Sequence, residues 1–205
     1  MKRILASLLI GTAVLAAPAA AQEAKGSVQV KVLGTAVLPD GKITDVKTDN
    51  FGLPANTQTE ANDNYVPTLA IEYFLNDNFS VETICCMTQH DVDGVTGLPG
   101  AELVSNAKLI PATVTGKAHV DLGAIKPYVG AGVTYFWWVD VDPGAAVASA
   151  ITKTDLSDEF GFVLQGGVDV PINDKGLGLT LDAKKYFVGT TASWYDGSTL
   201  VIETE

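Results

Sequence analysis

The chain has 205 residues, 47% of them hydrophobic, with a mean hydropathy of +0.22 and a formal net charge of −11. That is one domain's worth of chain. So acidic a sequence is a poor candidate for nucleic-acid binding, which rests on clustered Lys and Arg.

The first residues, MKRILASLLIGTAVLAAPAAAQEA, read as a secretory signal peptide over 1–21. Lys2 and Arg3 form a basic start, 4–15 an apolar stretch too short for a membrane anchor, and Ala19-Ala20-Ala21 a cleavage site. Cleavage after Ala21 removes two positive charges and no acid, which takes the net charge from −11 to −13. Nothing later is an uninterrupted apolar run of about 18 residues, so no transmembrane helix is predicted.

Residues 26–38, GSVQVKVLGTAVL, alternate: Val28, Val30, Val32 and Ala36 face one way, Gln29, Lys31, Leu33 and Thr35 the other. A polar tract, 39–63, reads as a long loop. Residues 64–75 alternate again, with Tyr65, Leu69, Ile71 and Tyr73 opposite Thr68 and Glu72, and Asn76-Asp77-Asn78 supplies a tight link. A strand over 79–89 carries Val81 against Ser80 and Glu82, and 90–105 forms a second long loop. Cys85 and Cys86 lie side by side, where a disulfide would be strained, and read as two small apolar fillers.

Residues 106–120 set Ile110, Ala112 and Val114 against Thr113, Thr115, Lys117 and His119, and a short link over 121–125 follows. The clearest stretch is 126–140, KPYVGAGVTYFWWVD, where Val129, Ala131, Val133, Tyr135 and Trp137 share one face. This run exceeds the usual 5–6 residues of a globular strand, whereas a strand crossing a bilayer needs about 9–11 with aromatics at its ends. A third long loop spans 140–157, and its middle, PGAAVASAI, could hold a short helix. Strands over 158–172 and 177–189 flank the tight turn Asn173-Asp174-Lys175-Gly176, and the chain reaches Glu205 past Asp196-Gly197.

The links alternate long and short. Outer-membrane barrels have short periplasmic turns, longer external loops, an apolar outer face and a polar lumen. Only a closed barrel lets strands cross lipid with no unsatisfied edge. The expectation is an all-β, eight-stranded, antiparallel up-and-down transmembrane barrel occupying 22–205. Its final strand is incomplete, since 198–205 is short and polar, which leaves the first and seventh strands with open edges. The amino end then lies in the periplasm and the three long loops outside.

On these residues the chain resembles the outer-membrane protein W (OmpW) family of Gram-negative bacteria. The resemblance rests on PATVTGK, KPYVGAGVTY, FGFVLQGGVDVPIND and LDAKKYFVGTT, and it covers the chain after the leader. It implies a narrow barrel in the cell outer membrane that admits small, often hydrophobic molecules. The missing last strand departs from the family pattern. Partners implied are outer-membrane lipid, small hydrophobic solutes and, during biogenesis, periplasmic chaperones and the barrel-assembly machinery.

Two groups of residues are candidates for function. Gln29, Lys31, Glu72, Glu82, Lys117, Gln165, Asp169, Asp182 and Lys184 point into the lumen, either as a structural plug of ion pairs or as the lining of a thin pathway. Phe51, Leu53, Leu98 and Trp194, with 145–151, form an external apolar lip, either a funnel for apolar solutes or simple loop packing. No catalytic residue is assigned: His119 has Lys117 and Asp121 at two-residue spacing, where a lipid hydrolase would want Ser, and His90 lies at a loop edge. No metal or cofactor site is assigned either, because the acids are scattered and the two Cys and two His lack ligand spacing. Tyr65, Tyr73, Tyr135, Trp137, Phe160 and Phe187 read as interfacial girdles, while Trp138 breaks the alternation above the membrane. Lys185 falls on the lipid face and must snorkel or mark a bulge.

The reading is therefore a barrel that passively admits or captures small solutes and is not an enzyme. The alternatives are a non-conducting structural or receptor barrel whose external loops bind a ligand or partner, and a soluble lipocalin-like barrel with its apolar faces inward.

Overall fold

The computed structural model describes residues 6–13, 26–173 and 176–205, with side chains from residue 26 onward. The strands are β1 (Ala6–Ala13), β2 (Val28–Leu38), β3 (Val46–Asp49), β4 (Gln58–Ala61), β5 (Asn64–Asn76), β6 (Phe79–Cys85) and β7 (Thr88–Thr96). They continue as β8 (Glu102–His119), β9 (Lys126–Pro143), β10 (Lys153–Leu156), β11 (Glu159–Pro171), β12 (Gly178–Phe187), β13 (Ala192–Asp196) and β14 (Thr199–Thr204). Among the described residues no helix is present.

Antiparallel ladders run from β2 to β5, β6, β8, β9, β11 and β12, and β1 joins β12 back to β2, which closes a ring. Val28, Val32, Ile71, Val129, Phe162 and Leu164 stand exposed on its outer face. So many exposed apolar side chains suit lipid rather than water. Tyr65, Tyr73, Trp137 and Phe160 are exposed on that face as well, whereas Tyr135 and Phe187 are half-buried. The Tyr135 and Phe160 rings lie 4.6 Å apart.

Several elements depart from the expectations. Residues 6–13, read as the core of a leader, form β1, which pairs Leu33–Leu38 on one side and Leu181–Phe187 on the other, so the two edges foreseen as open are joined there. A strand in a ring needs only backbone donors and acceptors at the right register, and alternating or continuous apolar residues both supply them. The proposed cleavage site at 19–21 lies outside the described residues.

The tail does not begin a barrel strand. It forms β14, which pairs with β13 and β3 in a second, four-stranded sheet with β10 at the long-loop end. The loops are more ordered than their polarity indicated: β8 and β9, at 18 residues each, extend well past the length a bilayer needs, β7 covers part of the expected second loop, and 145–150 forms successive turns rather than a helix. Lys185 sits in an unshifted β11–β12 ladder opposite Leu164, which rules out a bulge. Trp138 keeps the alternation and turns inward, packing against the loop core.

Candidate functional site

Three levels stack inside the ring. Lowest, nearest the short turns, lies a charged plug. Alternation places Lys31 of β2, Glu72 of β5, Glu82 of β6, Lys117 of β8, Gln165 and Asp169 of β11, and Asp182 and Lys184 of β12 on inward faces, and each is at most 5% exposed. Lys117 Nζ bridges Glu72 at 2.9 Å and Glu82 at 3.0 Å. Lys31 bridges Glu72 at 2.9 Å and Asp169 at 3.1 Å, and Lys184 bridges Glu82 at 2.9 Å and Asp182 at 2.7 Å. Gln165 Nε2 donates to Glu82 at 2.8 Å and to Asp182 at 2.7 Å, while its Oε1 accepts from Thr115 at 2.7 Å.

Neutral groups fill the remaining valences. The Tyr128 hydroxyl donates to Asp182 at 2.7 Å, and the Lys117 ammonium lies 3.8 Å from the Tyr128 ring centroid. Ser80 donates to Glu72, and Thr180 to Asp169. Glycine makes the room: a methyl added at Gly167 would run into the Tyr128 ring and hydroxyl. Burying a charge is costly unless it is paired and hydrogen-bonded, and here the charges on β2, β5, β6, β8, β11 and β12 meet those conditions together. Gln29, the remaining candidate, is half-buried with its Oε1 unpartnered.

Above the plug lies an apolar layer. Leu33, Ala70, Ile84 and Cys86 form one buried cluster, and Val37, Val163, Tyr186 and Val188 another. Over these opens a cavity of about 170 Å³, with Cys86, Pro111, Phe136 and Tyr186 low on its wall and Trp138 and Trp194 higher. Its rim includes Lys42 and Glu205. The hydrogen bond and the charge of Asp40, 2.9 Å away, hold the Lys42 ammonium above the usual lysine value.

The roof is the second sheet, which packs on Leu103, Val104, Ala107, Ile151, Trp194 and Ile202. The Trp194 indole donates to the Leu103 carbonyl at 3.1 Å. The four lip candidates therefore divide. Trp194 is 6% exposed inside the roof, and Leu53 and Leu98 pack against the same cluster. Phe51 alone of the four is open to solvent, at 56%, on a loop whose N–H groups at Phe51, Gly52 and Leu53 all donate to Asp49.

One part of the wall is weakly tied. The β5–β6 ladder ends at Leu69–Cys85, and the β6–β8 ladder ends at Ile84–Thr113 before β7 resumes it at Thr88–Leu109. Continuing these registers sets Met87 opposite Pro67 and Cys86 opposite Pro111. Phe74 exchanges bonds with the segment before β2, so by alternation Pro67 presents its nitrogen to Met87. His119 donates to Asn78, so Pro111 likewise presents its nitrogen to Cys86. Proline has no N–H, and the ladder lapses on both sides of the same two residues. Cys86 and Pro111 also line the cavity, so the lapse borders it. Pro67 and Pro111 were not singled out from sequence, although a proline inside an alternating strand is a legible signal.

Comparison with known proteins agrees with this architecture. A family model described as the OmpW family matches residues 24–203. An "uncharacterized outer-membrane protein y4mB" of Sinorhizobium fredii (strain NBRC 101917 / NGR234) is 32% identical over 167 residues, covering 79% of this chain. The match covers 66% of that relative, just under two thirds of its length. The crystal structure of the outer membrane protein OprG from Pseudomonas aeruginosa shares the fold, at a TM-score of 0.57 and 17% identity, over 95% of this chain and 97% of that one. The solid-state NMR structure of the outer membrane protein AlkL in DMPC lipid bilayers aligns over 97% of this chain and 94% of that one, at 15% identity and a TM-score of 0.43.

Proposed function

Because the chain belongs to the OmpW family and is a β-barrel of the outer membrane, we propose that it captures small apolar solutes in its upper cavity and releases them sideways into the lipid. The observation that carries this reading is the position of the apolar cavity directly above a closed, fully paired charge plug. A solute entering between the loops meets apolar walls. Going further down the lumen, it would have to separate buried ion pairs, at a cost of several kcal/mol. The wall beside the cavity is cheaper to part, since two prolines have already removed ladder bonds at Cys86 and Met87.

With the long loops outside the cell, the route runs from the external medium to the outer-membrane interior. Apolar solutes gain by it because each buried CH₂ is worth about 0.8 kcal/mol. Ions gain nothing.

The test uses the protein reconstituted in vesicles, with an apolar fluorescent tracer added outside and ion current recorded across a planar bilayer. Faster transfer of tracer into the membrane, without resolved ion steps, supports the reading. Ion steps together with no effect on the tracer would overturn it in favour of a straight pore. No effect of either kind would favour a receptor barrel, whose four-stranded outer sheet then serves as the binding surface.

A further inference from the structure

The walls of the upper cavity differ in chemistry, and the difference follows strand order. Around the ring β9 and β2 stand opposite one another, with three strands between them on either side. β9 brings Phe136 and Trp138 to the cavity, while the facing side carries Val37 of β2 and, just past its end, Pro39 and Gly41. One wall is aromatic, and the wall across from it is small and aliphatic.

The two β9 rings are open to the cavity. Alternation turns Tyr135 and Trp137 outward and Phe136 and Trp138 inward. Both inward residues are only half-buried although they lie inside the barrel, so each keeps surface toward the cavity it lines. The other two aromatic residues of the wall are closed off, Tyr186 at 1% exposure and Trp194 at 6%. They serve as backing. The Tyr186 and Phe136 ring centroids lie 5.7 Å apart with planes tilted by 47°, and Trp194 shares the roof cluster with Trp138. On the β8 flank Pro111 stands opposite Phe136 and Leu109 opposite Trp138, so apolar side chains continue the surface there. Residues two apart on a strand are separated by about 6.5 Å, which makes the two rings one strip along the cavity.

We propose that the cavity selects small aromatic molecules of one or two rings over saturated molecules of the same skeleton, and that Phe136 and Trp138 recognise them. This rests on the capture reading above and names its ligand class. An aliphatic wall accepts any apolar molecule in proportion to the area it buries. Two rings in offset-stacked or edge-to-face contact gain more than their area, because the negative face of one meets the positive edge of the other. A saturated ring has no such quadrupole and gains area alone. The volume of about 170 Å³ lies below the roughly 300–1,000 Å³ of drug-sized sites, which limits the molecule to a small one.

The experiment compares naphthalene with decalin, which share one fused ten-carbon skeleton. Each is titrated into the full chain in lipid nanodiscs, with empty discs subtracted and affinities corrected for partition into lipid. The wild type is expected to prefer naphthalene by roughly 2- to 12-fold, the ordinary worth of an aromatic pair. Phe136→Leu with Trp138→Leu is expected to bind decalin still and to lose that preference. Trp137→Leu, on the outer face of the same strand, is expected to keep it. In the wild type, nuclear Overhauser contacts should join naphthalene protons to the rings of Phe136 and Trp138, a readout that needs no variant to fold. A preference retained in the double variant, or lost equally in Trp137→Leu, overturns the assignment. Bound naphthalene without contacts to either ring overturns it as well. Equal binding of both molecules by the wild type overturns it too, yet leaves capture standing. Binding of neither removes the capture reading itself, and the ligand class with it.

Discussion

Lys31 Nζ lies 3.1 Å from each carboxylate oxygen of Asp169, 138 residues further along the chain. Their strands are not neighbours: β1 and β12 stand between β2 and β11 around the ring. The pair is therefore a strut across the lumen rather than a cross-strand contact. With Glu72 and Lys117 it links β2, β5, β8 and β11 through the interior at this level.

Removing one member of the plug strands the others. Glu72 holds Lys31 and Lys117 at once, each at 2.9 Å, and lies 3.0 Å from His119 Nε2. Glu72→Ala is expected to cost about 3–5 kcal/mol, the usual penalty for leaving a buried charge uncompensated. Denaturant unfolding in lipid, followed by the heat-modifiable gel shift, measures it. A loss below about 1 kcal/mol would mean that water already reaches these ammonium groups.

On the proposed reading, the plug is expected to set conduction. In a planar bilayer the wild type should show no resolved ion steps. Joint replacement of Lys31, Glu72, Lys117 and Asp169 by Ala removes charge in balance, two positive and two negative, and opens one side of the lumen while Glu82, Asp182 and Lys184 stay paired on the other. Steps are then expected. Silence from this variant, with insertion confirmed by gel shift, would show that another constriction controls passage.

Trp194 and Phe51 should behave differently although both are apolar residues of the external loops. Trp194 is 6% exposed and anchored on Leu103, so Trp194→Ala should cost about 3–5 kcal/mol and loosen the roof. Phe51 is exposed at 56%, and Phe51→Ser should stay within about 0.5 kcal/mol and leave tracer capture unchanged. Limited proteolysis of the loops, alongside tracer binding, separates the two.

The wall lapse predicts a kinetic effect. Pro67→Val with Pro111→Val returns two backbone N–H donors toward Met87 and Cys86. At about 1 kcal/mol per restored bond, opening becomes rarer by roughly tenfold or more, while the cavity is little altered. Tracer should still bind but pass into lipid more slowly. Unchanged transfer would place the exit elsewhere in the barrel.

Gly167 tests the packing of the plug. Gly167→Ala directs a methyl at the Tyr128 ring, and the variant should lose about 1–3 kcal/mol through overpacking. Tyr128→Phe in the same background removes the hydroxyl but leaves the ring and the Leu181 carbonyl in the way of the methyl, and gives up the bond to Asp182, so the loss should not return. Urea midpoints of the two single variants and the double variant decide it.

The sequence by itself determined faces. A period of two assigns Lys31, Glu72, Glu82, Lys117 and Lys184 to one side of their strands and Val129, Phe160 and Leu164 to the other, whatever the strands pair with. That was enough for a transmembrane barrel and for the membership of its inner lining. Only the tertiary structure decided partners. Which carboxylate meets Lys31, whether 6–13 lies between β2 and β12, and that 199–204 joins a roof sheet all depend on ring order and stagger. These are relations between strands far apart in the chain, and alternation within one strand carries no information about them.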